Sequence, residues 1–368
     1  MNQNLALRVL SEIMKWDDVR ARDEFAWLRL MSRVKYDTYR DFVAGARFIE
    51  SLADWLQQFN QEEREVAYRF VRQTLVFVGP LEMNHLVEHT YPERVQKRLL
   101  DDVANKLKIP AYMVWAQPET KNTYQDLLRR TLFLGLSDGA RIDDFRRANA
   151  GVISNEQVVP WPQINTSKWQ SLLEKLQTDT KDKHAQFKFV YLIDDFMGSG
   201  TTLLRKSNGS WEGKLVRFWK DTKEIANSHF DPNGILCVHH YIGSYDVSTK
   251  IQARLDGAVA ALGDTVTLKH VEFSFGMVLP KNLPLDNARH GEFLRLVEKY
   301  YDPSIQTIHT ELGGGGGDVR LGFGKCGLPL VLEHNTPNNS VALLWADTNG
   351  ENGAHSMRPL FRRKQRHV

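Results

Sequence analysis

The sequence predicts an α/β fold, a mostly parallel sheet flanked by helices, preceded by an all-α N-terminal domain. Three observations carry that prediction. Up to about residue 108, apolar residues recur at helical steps, and beyond about residue 122 short strand patterns alternate with helical ones. One of those strands, Phe189-Val190-Tyr191-Leu192-Ile193, runs directly into two carboxylates, Asp194-Asp195, and then into a Gly/Ser/Thr loop.

Composition narrows the class. With 368 residues, 25% of them charged and 42% hydrophobic, the chain has room for two domains or one large α/β domain with an appendage. No apolar run approaches the roughly 18 residues a membrane span needs, and the first residues read as an amphipathic helix rather than a signal peptide. The expectation is a cytoplasmic protein with no membrane partner. Cys237 and Cys326 are the only cysteines, which argues against a disulfide framework or a cysteine-based zinc site. A net charge of +3 requires no nucleic-acid partner. The stretch Arg358–His367 is locally basic and reads either as a polyanion contact or as a tail that is solvated or packed on acidic neighbours.

In chain order, Phe42, Phe48, Ile49, Leu52, Trp55, Leu56 and Phe59 form one helical stripe and Val66, Phe70, Val71 and Leu75 another. Asn60 with Glu63 resembles a capping box, and Gly79-Pro80 closes one helix and opens the next. A further helix is expected at about 92–107, before Pro110, and Gln117–Asn122 reads as a linker. The expected organisation is a helical domain over 1–116 that docks a protein partner, an α/β domain with a hood over 122–345, and a basic tail over 346–368. Strands are predicted at Thr131–Leu136, Lys188–Ile193, Gly234–His239, Thr265–Phe273 and Leu328–Glu333. Helices are predicted at Ile142–Asn149, Thr166–Gln177, Lys214–Asn227, Val247–Leu262 and Glu292–Tyr300. Lys206–Gly213 and Gly313–Gly317 are the polar and glycine-rich loops; the second is either a flexible surface loop or a lid.

The stretch from Phe189 to Leu203 holds the densest chemistry. A buried parallel strand ends where open α/β sheets bind ligands, glycines let the backbone approach a phosphate, and unpaired N–H groups with a following helix attract the anion. Asp194 and Asp195 suit the hydroxyls of a ribose. Asp194-Asp195 followed by Gly198-Ser199-Gly200-Thr201-Thr202 resembles the phosphoribosyl-pyrophosphate motif of type I phosphoribosyltransferases: two acids, three spacers, then Thr-Gly-x-Thr. Ser199 stands for the first threonine, Gly200 for the glycine and Thr202 for the last threonine. The resemblance implies that the acids hold the ribose hydroxyls while Gly198, Ser199, Gly200, Thr201 and Thr202 cradle the 5′-phosphate. It also implies Mg²⁺ held mainly by the ligand's own pyrophosphate and hydroxyls, with no protein metal site.

Leu132–Leu136 runs into Ser137-Asp138-Gly139-Ala140-Arg141, placed like the pyrophosphate loop of those enzymes; a helix-entry turn is the plainer reading. Near the end, His334-Asn335-Thr336-Pro337-Asn338 follows another strand. His334, Asn335 and Asn338 are candidates for the acceptor side of a pocket, and an Asx-turn is the alternative. Together the three segments resemble a family of bacterial phosphoribosyltransferase-like proteins of conflict and anti-phage systems, some beside retron-type reverse transcriptases. That resemblance spans about 122–345. It implies a pocket for phosphoribosyl pyrophosphate or a related nucleotide, in an effector or a nucleotide-sensing regulator that reaches nucleic acid through a defence complex. Departures are Ser199 in place of threonine, the insert Lys206–Gly213, and no acceptor signature of nucleotide salvage.

Other readings compete. Asp195-Phe196-Met197-Gly198-Ser199-Gly200-Thr201-Thr202 also resembles the methyl-donor motif of S-adenosylmethionine-dependent DNA amino-methyltransferases, but no Pro-Pro pair exists to supply their catalytic element. No Lys-Ser/Thr follows the glycines, against a Walker loop. His85-Leu86-Val87-Glu88-His89 matches an inverted zincin pattern that lacks an identifiable third ligand. His239 and His240 read first as satisfied core or rim histidines; the alternative is that one of them faces the strand-end site, because alternate strand residues point to opposite faces.

Overall fold

The computed structural model describes residues 3–306, 317–350 and 354–363. Gly313–Gly316 of the expected glycine lid and 364–367 of the basic tail lie outside the described residues. Nine strands occur among those described: β1 (Val76–Val78), β2 (Thr131–Gly135), β3 (Val158–Pro160), β4 (Phe187–Met197), β5 (Arg205–Ser207), β6 (Ser210–Glu212), β7 (Phe230–Gly243), β8 (His270–Val278) and β9 (Leu330–Leu332). The chain divides into two compact units, Met83–Leu279 and Met1–Glu82 with Pro280–Val368.

Met83–Leu279 is the α/β unit. Its sheet has the order β3-β2-β4-β7-β8 with every pair parallel. The middle strand is apolar on both faces, as a strand covered by helices on both sides must be: Val190 and Leu192 on one, Phe189, Tyr191 and Ile193 on the other, all buried. Helices Thr166–Thr180, Lys214–Thr222 and Tyr245–Leu262 supply Trp169, Leu172, Trp219, Ile251 and Leu255 to the core that includes Val190 and Leu192. On the opposite face Phe133 stacks on Tyr191 at 5.4 Å and meets Phe145 at 5.1 Å. Arg98, from helix Lys97–Leu107, lies over the Phe189 ring at 5.1 Å.

The path of the chain through the sheet fixes where a crevice opens. From β2 the chain steps outward to β3, returns to β4 on the other side of β2, and then continues outward through β7 and β8. The reversal falls between β2 and β4. Their carboxyl ends flank the crevice where open α/β sheets bind ligands.

The other unit draws its core from both ends of the chain. Phe48, Ile49, Leu52, Trp55 and Leu56, the predicted stripe of helix Phe48–Gln57, are buried. Trp55 Nε1 donates to the Leu343 carbonyl at 2.7 Å, Phe70 stacks on Phe293 at 3.8 Å, and Phe361 stacks on Phe48 at 5.8 Å. β1 pairs in parallel with β9. The strand expected over Leu328–Glu333 therefore belongs to this two-stranded ladder, because its partner is Val76–Val78 rather than the large sheet.

Two further expectations are corrected. Gln117–Asn122 is no linker: Gln117 is an N-cap position and Pro118 opens helix Pro118–Arg129, where its missing N–H would have been unpaired in any case. With Lys97–Leu107 and Pro118–Arg129 in the α/β unit, and the chain's last segment in the other, the contacts do not divide the chain as 1–116, 122–345 and 346–368. In the basic tail, Leu360 and Phe361 are buried and Arg358 pairs with Asp54 at 2.7 Å, so this part of it packs on acid and core.

Candidate functional site

β4 does not stop at the acids. It stays paired with β7 through Met197, with Asp194 opposite His240 and Ile193 opposite His239. Neighbours paired in register issue from the same face, so His240 accompanies Asp194 while His239 points to the other side. Asp194 is buried. Its Oδ1 accepts from Ser137 Oγ and, at 3.2 Å, from the Asp195 N–H; its Oδ2 accepts from Lys214 Nζ at 2.6 Å. Asp195 is half-buried, and its Oδ1 accepts the Phe196 N–H at 2.7 Å.

The turn after β2 thus touches the strand-end acids directly. Gly139 lies so close to the Asp195 carboxylate that a Cβ there would collide with Oδ2. Asp138 is exposed, and buried Ala140 accepts the Tyr241 hydroxyl on its carbonyl at 2.9 Å. Arg141 takes a left-handed conformation (φ 47°) ahead of helix Ile142–Ala148. Its Nη1 donates to Asn84 Oδ1 at 3.1 Å and lies 3.5 Å from Asp144. Arg146 and Arg147 serve the fold here: they pair with Asp143 at 2.6 Å and Asp144 at 2.5 Å.

The loop from Gly198 to Thr202 is pinned from behind. Ser244 donates its N–H to the Met197 carbonyl at 2.9 Å and its hydroxyl to that of Gly198 at 2.6 Å. Arg254 Nη1 donates to the carbonyls of Ser199 (3.0 Å) and Leu204 (3.1 Å). In a trans peptide the following N–H points away from the carbonyl, so the Ser199 and Gly200 N–H groups are turned away from Ser244 and Arg254. Gly200 has φ 75°, and a Cβ on it would sit 2.7 Å from Val247 Cγ2, which explains the glycine. Ser199 Oγ and Thr201 Oγ1 are hydrogen-bonded at 2.8 Å, and Thr202 is exposed.

The helix predicted from Lys214 starts there, and a hairpin fills the stretch between it and the loop. β5 and β6 form an antiparallel hairpin around Asn208-Gly209, both with positive φ, as a tight two-residue turn requires. The helix begins only at Lys214, yet Lys214 N–H bonds back to the Thr202 carbonyl at 3.0 Å and Leu215 N–H to that of Leu203 at 3.0 Å. The hairpin is an excursion from a junction that otherwise runs from loop to helix. Lys214, Arg254 and Ser244 are site residues that sequence reasoning misses. Two of the three leave a local signal: the Asn208-Gly209 pair lies upstream of Lys214, and Ser244 is the N-cap of helix Tyr245–Leu262.

Burial pulls the His240 pKa down to about 4, with Asp194 and Asp195 opposing and Lys214 reinforcing the shift, so the ring is neutral at pH 7. Its Nδ1 is buried with no hydrogen-bond partner. His239, pulled to about 3 chiefly by burial, is tied instead to Ser274 Oγ at 2.9 Å and Thr90 Oγ1 at 3.2 Å.

His334, Asn335 and Asn338 belong to the other unit, in the turn after β9. There His334 Nδ1 is 3.4 Å from Glu333, which is fully buried and paired with Arg40 at 2.8 Å. Asn335 N–H closes onto the Leu332 carbonyl at 3.1 Å, and the Asn338 carbonyl accepts the Phe323 N–H at 2.7 Å. In the zincin-like segment the rings of His85 and His89 are 4.0 Å apart and His89 pairs with Glu93 at 3.1 Å. Among the described residues no group of three or more His, Cys, Asp or Glu side chains could hold a metal ion. Asp194 is a poor ligand for a protein-held Mg²⁺, because both its oxygens are engaged and one of them already faces an ammonium.

A parallel sheet reversing between β2 and β4, with the turn after β2 bonded to Asp194 on β4, is an open α/β fold with a ligand crevice at its switch point, consistent with a phosphoribosyltransferase-like protein. The chain belongs to the PRTase-CE family, whose model matches residues 52–363. No curated protein and no solved structure matches it. Among the described residues no helix is long and apolar enough to cross a membrane.

Proposed function

We propose that the chain binds phosphoribosyl pyrophosphate, or a related nucleotide, at the carboxyl ends of β2 and β4. The observation that carries this reading is the hydrogen bond from Ser137 to Asp194, which brings the pyrophosphate-loop candidate and the ribose-phosphate candidate together at the sheet's switch point. Asp195 with Gly139 beside it would meet the ribose. The loop Gly198–Thr202, its Ser199 and Gly200 N–H groups turned away from their anchors, would meet the 5′-phosphate. Ser137, Asp138 and Gly139 would meet the pyrophosphate. Any Mg²⁺ would arrive with the ligand, held by its pyrophosphate and hydroxyls.

If the pocket turns over, the bond from the anomeric carbon to pyrophosphate breaks, its electron pair leaves with pyrophosphate, and a bond to the acceptor forms as the acceptor loses its proton to solvent. The positive charge that develops on the ribose is stabilised by nearby carboxylate, and exclusion of water strengthens that interaction and keeps water from acting as the acceptor. A nucleotide-sensing regulator would bind the same ligand without release. We place either activity in bacterial anti-phage defence, on the family resemblance, with the exposed Val19, Leu30 and Val34 of helix Asp18–Val34 as part of a protein-docking surface. Nucleic acid would be reached through that partner. Pyrophosphate release from phosphoribosyl pyrophosphate, with nucleobases or nucleic acid as acceptors, separates the readings. Release above an Asp195→Asn control identifies the enzyme, and binding with no release identifies the regulator.

A further inference from the structure

Lys214 brings a cation to the strand end from beyond the hairpin, and its setting is unusual. It occupies the first position of helix Lys214–Thr222, where the helix dipole disfavours a positive charge. Its ammonium is held by Asp194 Oδ2 at 2.6 Å, beside a neutral His240 paired in register with that same acid. An ammonium carries three donors, and Asp194 accepts one of them. The side chain retains 25% exposure while that of Asp194 retains 6%, so the open side of the pair is the ammonium. The hairpin β5–β6 positions it: Gly213, at φ 119°, brings the chain back so tightly that a Cβ would collide with the Leu203 carbonyl.

We propose that Lys214 is the built-in cation of this site. It neutralises Asp194 and offers its remaining donors to the phosphate oxygens of a ribose-phosphate ligand, so binding does not depend on a divalent ion. This rests on the ribose-phosphate reading above for the identity of the ligand. The claim that an ammonium fills the cation position beside Asp194 stands on the geometry alone. A Mg²⁺ ion beside Oδ2 would have to displace Lys214 or share the carboxylate with it, against mutual repulsion.

The test has two arms on the full chain. In the first, Mn²⁺ alone is titrated and followed by paramagnetic resonance. Wild type should show no site tighter than about 1 mM, and Lys214→Met should gain one that Asp194→Asn/Lys214→Met loses again. The double variant also removes the unpaired buried carboxylate, so its melting temperature separates a local effect from a folding defect. Tight Mn²⁺ binding in wild type that Asp194→Asn abolishes overturns the proposal. So does a folded Lys214→Met that gains no Mn²⁺ site.

In the second arm, phosphoribosyl pyrophosphate is titrated calorimetrically in EDTA and in Mg²⁺. Wild-type affinity should differ by less than about threefold between them. Lys214→Met should bind at least about tenfold more weakly in EDTA and recover in Mg²⁺, while Lys214→Arg should stay near wild type. A loss of about tenfold or more for wild type in EDTA overturns the proposal. Absence of wild-type binding in both buffers overturns the ribose-phosphate reading instead, and the Mn²⁺ arm still decides the position of the cation.

Discussion

Asp194 and Asp195 are neighbours in sequence and unlike in surroundings. One is buried under Ser137, Lys214 and a backbone N–H; the other is half-buried against Gly139. Their chemistry is legible in the sequence because two carboxylates at the end of an apolar strand have little structural use, but their unequal engagement depends on Lys214, which arrives only after a hairpin. Asp194→Asn should therefore destabilise the fold by leaving the ammonium without its counter-charge, on the order of 1–3 kcal/mol in urea unfolding. Asp195→Asn should act mainly on ligand. The buried histidines make a separate prediction about pH. Their folded-state pKa values lie below the ordinary histidine value, so they contribute stability above about pH 6.5 that is lost as pH falls toward 4 for His240 and toward 3 for His239. By pH 5 the loss should be on the order of 2 kcal/mol for each. His240→Leu should flatten that dependence in urea midpoints measured from about pH 7.5 to about pH 5, and an unchanged slope would contradict the burial of a neutral ring.

At the scale of elements, β4 and β7 are readable because strands buried on both faces are continuous apolar runs, whereas β8, at the sheet edge and only partly buried, starts five residues later than predicted. β3 and β1 escape notice because strands of three residues give no periodicity to detect, whereas β9, equally short, sits in the longer apolar run Leu328–Leu332. The hairpin β5–β6 has the composition of a polar loop, although Asn208-Gly209 is a strong turn signal. Its two glycines should respond differently to alanine. Gly209 has φ 80° and open space around a Cβ, so Gly209→Ala should cost only the conformational strain, about 1 kcal/mol. Gly213→Ala adds a collision with the Leu203 carbonyl and should cost more, roughly 2–4 kcal/mol in thermal unfolding. Equal costs would mean that the base of the hairpin yields freely, and that Lys214 is not firmly placed.

For the whole molecule, the α/β architecture follows from alternating strand and helix patterns, whereas the partition of the chain does not. Nothing local announces that Val76–Val78 will pair with Leu330–Leu332, or that Phe361 will stack on Phe48. Such long-range pairing is decided by burial across the full chain. A fragment of residues 1–116 should therefore fail to fold alone, since Trp55 and Phe48 would lose Leu343 and Phe361. Residues 83–279, which contain the whole parallel sheet, should retain cooperative unfolding by circular dichroism. A stable, cooperatively melting 1–116 fragment would contradict this division.

If the turns after β2 and β4 form one ribose-phosphate site, calorimetric titration of phosphoribosyl pyrophosphate into the full chain will show it. Wild type should bind saturably, and Asp195→Asn should bind about tenfold or more weakly at an unchanged melting temperature. Equal affinity in the two proteins, or no uptake by a folded wild type, would contradict it.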